Sequence, residues 1–196
     1  MESPAVSDVV RPIKTTTLSN AWGVVRRHEF ELRRRNGEWQ HQIRETYDRG
    51  DGAGILLCDL RENIVILTRQ FRYPAFYRGE TPFLIEVCAG KLEGDDAETC
   101  ARKEAVEETG YSVGRIDKAF DCFMSPGSVT ERLSLFIGIV EGVPAGGGGG
   151  LEHEGEDIEI LRLPFAEALK MVETGEIADA KTVMLLQYAE LRGVFA

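Results

Sequence analysis

The sequence predicts a layered α/β sandwich around a mixed sheet, with an antiparallel β arm at the N-terminus. Three observations predict it. Short apolar, β-branched runs recur between residues 52 and 140. Helical patterns stopped by glycine lie among and after those runs. A strand-like stretch with Asn36-Gly37 at its centre precedes them. The 196 residues suit one domain with an appended arm. We place the tail and arm at residues 1–47 and the main domain at 48–196.

Residues 1–15 mix proline, serine and charge and read as a loose tail. In "WGVVRRHEFELRRRNGEWQHQIRETYDRG" the two halves flank Asn36-Gly37 as a hairpin. Arg26, Arg27, Arg33, Arg34 and Arg35 on this hairpin read as a solvated strand edge rather than an RNA surface. "GAGILLCDL" and "NIVILTRQFRY" are buried strands joined by a turn near Arg61–Asn63, and "FLIEVCAGKL" is a strand entering a glycine loop. A helix follows from about Asp96 to Thr109. "AFDCFMSPGSVTERLSLFIGIVEG" supplies two strands around a Ser-Pro-Gly turn. "AGGGGG" has no following Gly-Lys-Ser/Thr, so it is a hinge or mobile loop rather than a phosphate loop. "PFAEALKMVETG" and "DAKTVMLLQYAELRG" read as two helices, each stopped by glycine.

Composition narrows the function. Hydrophobic residues make up 43% and charged residues 29%, enough for a core in an ordinary globular protein. The net charge of −10 argues against a nucleic-acid partner, whose backbone demands a basic surface. A phosphorylated small molecule stays compatible, because a bound metal reverses the local field. The four cysteines are scattered without a C-x-x-C pair, so zinc and disulfide frameworks are not expected and reduced thiols fit better. No signal-peptide pattern opens the chain and no run reaches the length of a membrane span. The expectation is a cytoplasmic protein with no membrane partner.

The informative anomaly is "EAVEETGY", residues 104–111. Glu104, Glu107 and Glu108 fall in one stripe of the last helical turns, where the helix dipole favours bases. Each acid there opposes the dipole by ~0.3–1 kcal/mol, and like charges at i,i+4 add ~0.2–0.5 kcal/mol. Glu98–Arg102 and Lys103–Glu107 are local pairs, which leaves Glu104 and Glu108 without a compensating base in the helix. These acids read either as a solvated acidic face or as a metal site, and oxygen-only ligands would suit Mg²⁺, or Mn²⁺, rather than zinc.

"AGKLEGDDAETCARKEAVEETGY" resembles the Nudix box, a glycine loop followed by a helix ending in R-E-x-x-E-E-x-G. The loop is one residue shorter than the common pattern, Lys103 stands where arginine is usual, and Asp95 or Asp96 stands where glutamate is expected. "RETYDRGDGAGILL", "LTRQFRYPA", "FMSPGSVTE", "AGGGGGLEHEGEDIEIL" and "TGEIADAKTVMLLQYAEL" extend the likeness over residues 18–192. Together they resemble the GDP-mannose pyrophosphatase branch of that family, which is similar to the ADP-ribose pyrophosphatases and shares the shortened loop. The resemblance implies a Nudix-type α/β/α sandwich that hydrolyses the pyrophosphate of a nucleotide sugar. GDP-mannose, cut to GMP and mannose 1-phosphate, is the expected substrate. ADP-ribose or a broader nucleotide-sugar range is the alternative, and a non-catalytic nucleotide-sensing module is a further one.

The resemblance also implies site residues. Glu104 and Glu108, with the Ala89 carbonyl, match the metal-holding positions, while Glu107 supports a second ion or orients water. Glu156 matches a loop acid that binds metal, acts as general base, or does both; Glu152, Glu154 and Asp157 stand beside it as alternatives. Gly90 and Lys91 belong to the substrate loop. Arg72 suits a phosphate clamp, since guanidinium matches phosphate geometry bidentately. Trp22 matches a base-stacking aromatic, with a core or interface aromatic as the alternative. Arg44, Glu45, Glu131 and Lys181 match further substrate contacts. The arm, residues about 18–47, is expected to lie across the partner in a homodimer.

Overall fold

The computed structural model describes the chain except residues 1–6, 141, 143, 145, 152 and 154. The described residues divide into two compact units, one of Met1–Asp51 with Phe123–Glu131 and one of Gly52–Cys122 with Arg132–Ala196.

The first unit holds a three-stranded antiparallel sheet, β1 (Val10–Asn20), β2 (Val24–Arg33) and β3 (Trp39–Asp48), in that order. The Asn-Gly turn stands between β2 and β3 as expected, with Gly37 at φ 89°, a conformation open to glycine. The tail expectation is corrected: a strand rich in β-branched residues (Val10, Ile13 and Thr15 to Thr17) begins at Val10 and pairs along β2 despite Pro12. His28 ties the sheet together, its ring bonded to Thr15 Oγ1 at 3.1 Å and Thr46 Oγ1 at 2.8 Å. Arg26 pairs with Asp48 at 2.8 Å, and the Arg11 guanidinium lies 3.7 Å from the Trp39 ring centre. Tyr47 bonds through its backbone to Ser128 and Thr130, so the 123–131 segment is part of this unit.

The second unit is built on a seven-stranded mixed sheet. Its strands are β4 (Gly52–Asp59), β5 (Ile64–Phe71), β6 (Phe83–Glu86), β7 (Cys88–Lys91), β8 (Val113–Phe123), β9 (Arg132–Val140) and β10 (Glu159–Pro164). The main path runs β10-β5-β4-β9-β8, with β6 on β5 and β7 on β4. β4 lies parallel to β9 and antiparallel to β5 and β7. Every residue of β4 is buried, as its unbroken apolar run requires. Its odd positions Ala53, Ile55 and Leu57 pack with Cys100, Ala101 and Ala105 of helix α2 (Ala97–Thr109). Successive strand residues face opposite ways, and on the other face β4 meets α4 (Ala180–Leu191), whose Leu185, Leu186 and Ala189 are buried. α3 (Phe165–Thr174) packs beside α4.

Two local differences from the sequence reading matter. "FLIEVCAGKL" is two strands, broken at Val87, whose N–H donates to Thr182 Oγ1 at 2.8 Å. A short helix, α1 (Tyr73–Tyr77), follows β5, entered through Pro74 in its first turn. α4 stops at Gly193 as expected: that glycine is left-handed at φ 61°, its N–H donates to the Glu190 carbonyl at 3.1 Å, and the Val194 N–H donates to that of Ala189 at 3.0 Å.

Candidate active site

α2 starts at Asp96, whose carboxylate accepts the N–H groups of Glu98 and Thr99 at 3.1 Å each. It stops at Gly110, left-handed at φ 74°, with no base in the last turn. The local pairs read from the sequence form: Arg102 Nη2 meets Glu98 at 2.8 Å, and Lys103 lies 3.9 Å from Glu107. Arg102 also donates to the Val113 and Gly114 carbonyls, fixing α2 to the start of β8.

Glu104 points back at β7. A methyl group placed on Gly90 would lie 1.8 Å from Glu104 Oε1, so glycine is required for that carboxylate to rest on the loop. Glu108 is 1% exposed, and its Oε2 has no hydrogen-bond partner. Burial pushes the Glu108 carboxyl up from 4.5 to about 8; the charges of Glu104 and Glu156 add to the rise, while Cys88 and Arg72 oppose it. Burial likewise raises the neighbouring Cys88 thiol well above its usual range, and Glu108 reinforces the shift.

The glycine run does not stand free of this helix. Gly149 N–H donates to the Glu108 carbonyl at 2.8 Å and Gly150 N–H to the Glu107 carbonyl at 3.2 Å, satisfying the helix end. Glu156 is held on the same loop by the Leu151 N–H, 2.9 Å from its Oε2. In this conformation Gly149 and Gly150 seat the start of the loop on the end of α2. Asp157 is exposed, and Glu152 and Glu154 lie outside the described residues.

A second cluster forms where β5, β6 and α4 meet. Arg72 bonds Glu86 with both arms of its fork, Nε to Oε1 at 2.6 Å and Nη2 to Oε2 at 2.9 Å. Lys181 also bonds Glu86 Oε2, and lies 3.0 Å from Asp179. Burial alone would raise the Glu86 carboxyl, but Arg72 and Lys181 outweigh it and hold it below its usual range. Glu86 takes the Nε/Nη2 edge of the Arg72 guanidinium, so the phosphate clamp expected of Arg72 would use its Nη1/Nη2 end. Glu86 and Asp179 were missed in the sequence. The available signal was a lone acid inside the apolar run "FLIEV".

The remaining expected residues lie elsewhere. Lys91 is exposed at the end of β7. Trp22, Arg44, Glu45 and Glu131 belong to the first unit. Trp22 is 75% exposed, with the Arg49 guanidinium 5.9 Å from its ring centre, so it is no core aromatic within the described chain. Arg44 and Glu45 line a cavity of about 890 Å³ with His28, Phe30 and Phe123. Arg44 Nη1 donates to the Ile43 carbonyl at 2.7 Å. Glu131 is half-buried.

The acid cluster fits a divalent cation. Glu108 offers a buried oxygen with no partner, and Glu104 rests where only glycine leaves room. Among the described residues no three acid, His or Cys side chains close into a cage.

Comparison with known proteins agrees with this class of site. The NUDIX domain model matches residues 48–186, and the chain belongs to the Nudix hydrolase family, whose members generally need divalent metal ions. The model of the GDP-mannose pyrophosphatase NudK N-terminal domain matches residues 9–47. The chain is 49% identical to a GDP-mannose pyrophosphatase of Pectobacterium atrosepticum over 97% of its own length and 99% of that protein. It is 48% identical to the GDP-mannose pyrophosphatases of Shigella dysenteriae serotype 1 and Escherichia coli O157:H7, over 91% of this chain and 94% of each. Its fold is similar to the crystal structure of an ADP compounds hydrolase, with a TM-score of 0.72 at 16% identity and 98% of both chains covered. Among the described residues no helix is long and apolar enough to cross a membrane.

Proposed function

We propose that this chain hydrolyses the pyrophosphate bond of a nucleotide sugar, GDP-mannose, to GMP and mannose 1-phosphate in the presence of Mg²⁺. The observation that carries the reading is Glu108, buried with an unpartnered oxygen beside Glu104 at the foot of a glycine loop. The substrate follows from relatives of that activity that match the chain almost end to end.

Glu104, Glu108 and the Ala89 carbonyl would hold the cation, with Glu107 and Glu156 at its edge. When bound, it neutralises the pyrophosphate and lowers the pKa of water. Arg72 offers its Nη1/Nη2 end, and Lys181 its ammonium, to the phosphoryl oxygens. Gly90 leaves the β7 backbone open to a close approach, and Lys91 flanks it. Glu156, anchored through Oε2, takes a proton from the attacking water. The water oxygen bonds one phosphorus as the bridging P–O bond breaks, and the two monophosphates leave. The protein acts in the cytoplasm as a homodimer. Trp22, Arg44, Glu45 and Glu131 contact the nucleotide of the assembled dimer.

Incubating GDP-mannose with the protein and Mg²⁺, with and without added phosphatase, tests this. GMP and mannose 1-phosphate in equal amounts are expected, with inorganic phosphate appearing only after phosphatase. Direct release of phosphate, or no turnover, would contradict the reading.

A further inference from the structure

We propose that Glu86 is a positioning residue for the substrate: it fixes Arg72 and ties it to the buried Lys181 of a separate element, so that the guanidinium is held in one orientation for a phosphate. This rests on the reading of the site as a pyrophosphate site. Glu86 closes β6 and is 2% exposed, so its charge is balanced by the protein rather than by water. Both of its oxygens are used. Oε1 accepts from Arg72 Nε, and Oε2 accepts from Arg72 Nη2 and from Lys181 Nζ.

The anchor is itself fixed. Asp179 holds Lys181 from the other side at 3.0 Å and caps α4 by accepting from Thr182 N at 3.0 Å and Thr182 Oγ1 at 2.6 Å. Thr182 Oγ1 accepts the N–H of Val87, the residue after Glu86. The ring Glu86–Lys181–Asp179–Thr182–Val87 therefore closes across residues 95 apart in sequence. A buried ion pair is weak evidence for stability, since apolar residues of similar volume often serve as well. Its geometry is better explained by what it holds. The Arg72 side chain is 39% exposed, and its Nε and Nη2 are the atoms that Glu86 holds. The Glu108 charge also acts on Arg72, so the pair lies within electrostatic reach of the acid cluster.

The test compares wild type, Glu86→Gln, Arg72→Lys and the double variant. Inorganic pyrophosphate binding is measured by calorimetry at fixed Mg²⁺, and GDP-mannose hydrolysis is measured beside it. Lysine keeps the charge at 72 but cannot be held by a fork. If Glu86 acts through Arg72, each single change raises the pyrophosphate Kd and the KM by about tenfold or more, with kcat changed less than about threefold. The double variant is then no worse than the worse single one, because both remove the same arrangement. A folded Glu86→Gln protein that binds pyrophosphate within about twofold of wild type, or penalties that multiply in the double variant, would overturn the proposal. Should Glu86→Gln fail to fold, Glu86→Asp decides instead: it keeps the charge at shorter reach, and a wild-type Kd there also overturns it. Wild type that binds pyrophosphate yet leaves GDP-mannose intact sinks the functional reading alone, and the variant comparison still decides Glu86.

Discussion

Glu108 shows what a sequence can and cannot say about one residue. Its place in an acidic stripe followed from helical spacing alone, because Glu104 and Glu108 share a face whatever the tertiary fold. Its burial and its unpartnered oxygen did not, since they depend on tertiary neighbours such as Cys88 of β7. Glu86 was less legible still: its partner Lys181 is 95 residues away, and nothing local signals the pair. The Glu108 carboxyl, raised from 4.5 to about 8, gives a prediction with a sign. Without metal, the unfolded chain ionises as pH rises through 4.5 while the folded one resists until about 8, so stability is lost across that window. Glu108→Gln removes this loss. The variant should melt above wild type in metal-free buffer near pH 8, with the gap closing towards about pH 5. Its Mg²⁺-dependent turnover should fall by ~100-fold or more. Melting curves and rates at both pH values check this. Near-normal turnover, or a variant that unfolds, would remove Glu108 from the metal site.

At the scale of elements, reading succeeded where the local signal and the tertiary demand agree. α2 was placed within a residue because Asp96 and Gly110 are strong caps. The buried run of β4 and the Asn-Gly turn between β2 and β3 were equally plain. β1 was less plain because Pro12 interrupts "VRPIKTTTLSN" and its β-branched residues show no buried apolar alternation, so pairing with β2 completes it. The sheet of β1 to β3 exposes Ile13, Leu18 and Ile43, and Trp22 at the β1–β2 turn. Apolar groups of this size on a small sheet invite cover, and we propose that a second copy of the chain supplies it. Sedimentation at micromolar concentration should therefore give a dimer, and Ile43→Lys should shift it towards monomer with loss of activity. A fully active monomer would count against the arm as a dimer element.

Across the whole molecule, one unit carries the acid stripe of α2, the Gly149 and Gly150 contacts to its end, and Arg72 and Lys181 gathered on Glu86, while the arm belongs to the other. The Nudix fold accommodates many nucleoside diphosphates, so fold alone does not choose the base. Guanine presents N1–H and N2–H donors that adenine lacks. A site built to accept them leaves a buried acceptor unpaired when adenine enters, at a cost of ~1–3 kcal/mol or more. The most direct measurement is kcat/KM for GDP-mannose, GDP-glucose, ADP-ribose and ADP-glucose under one Mg²⁺ concentration. The account predicts that both guanine compounds exceed both adenine compounds by ~10-fold or more, with GDP-mannose turned over to GMP and mannose 1-phosphate. A clear preference for ADP-ribose would contradict it.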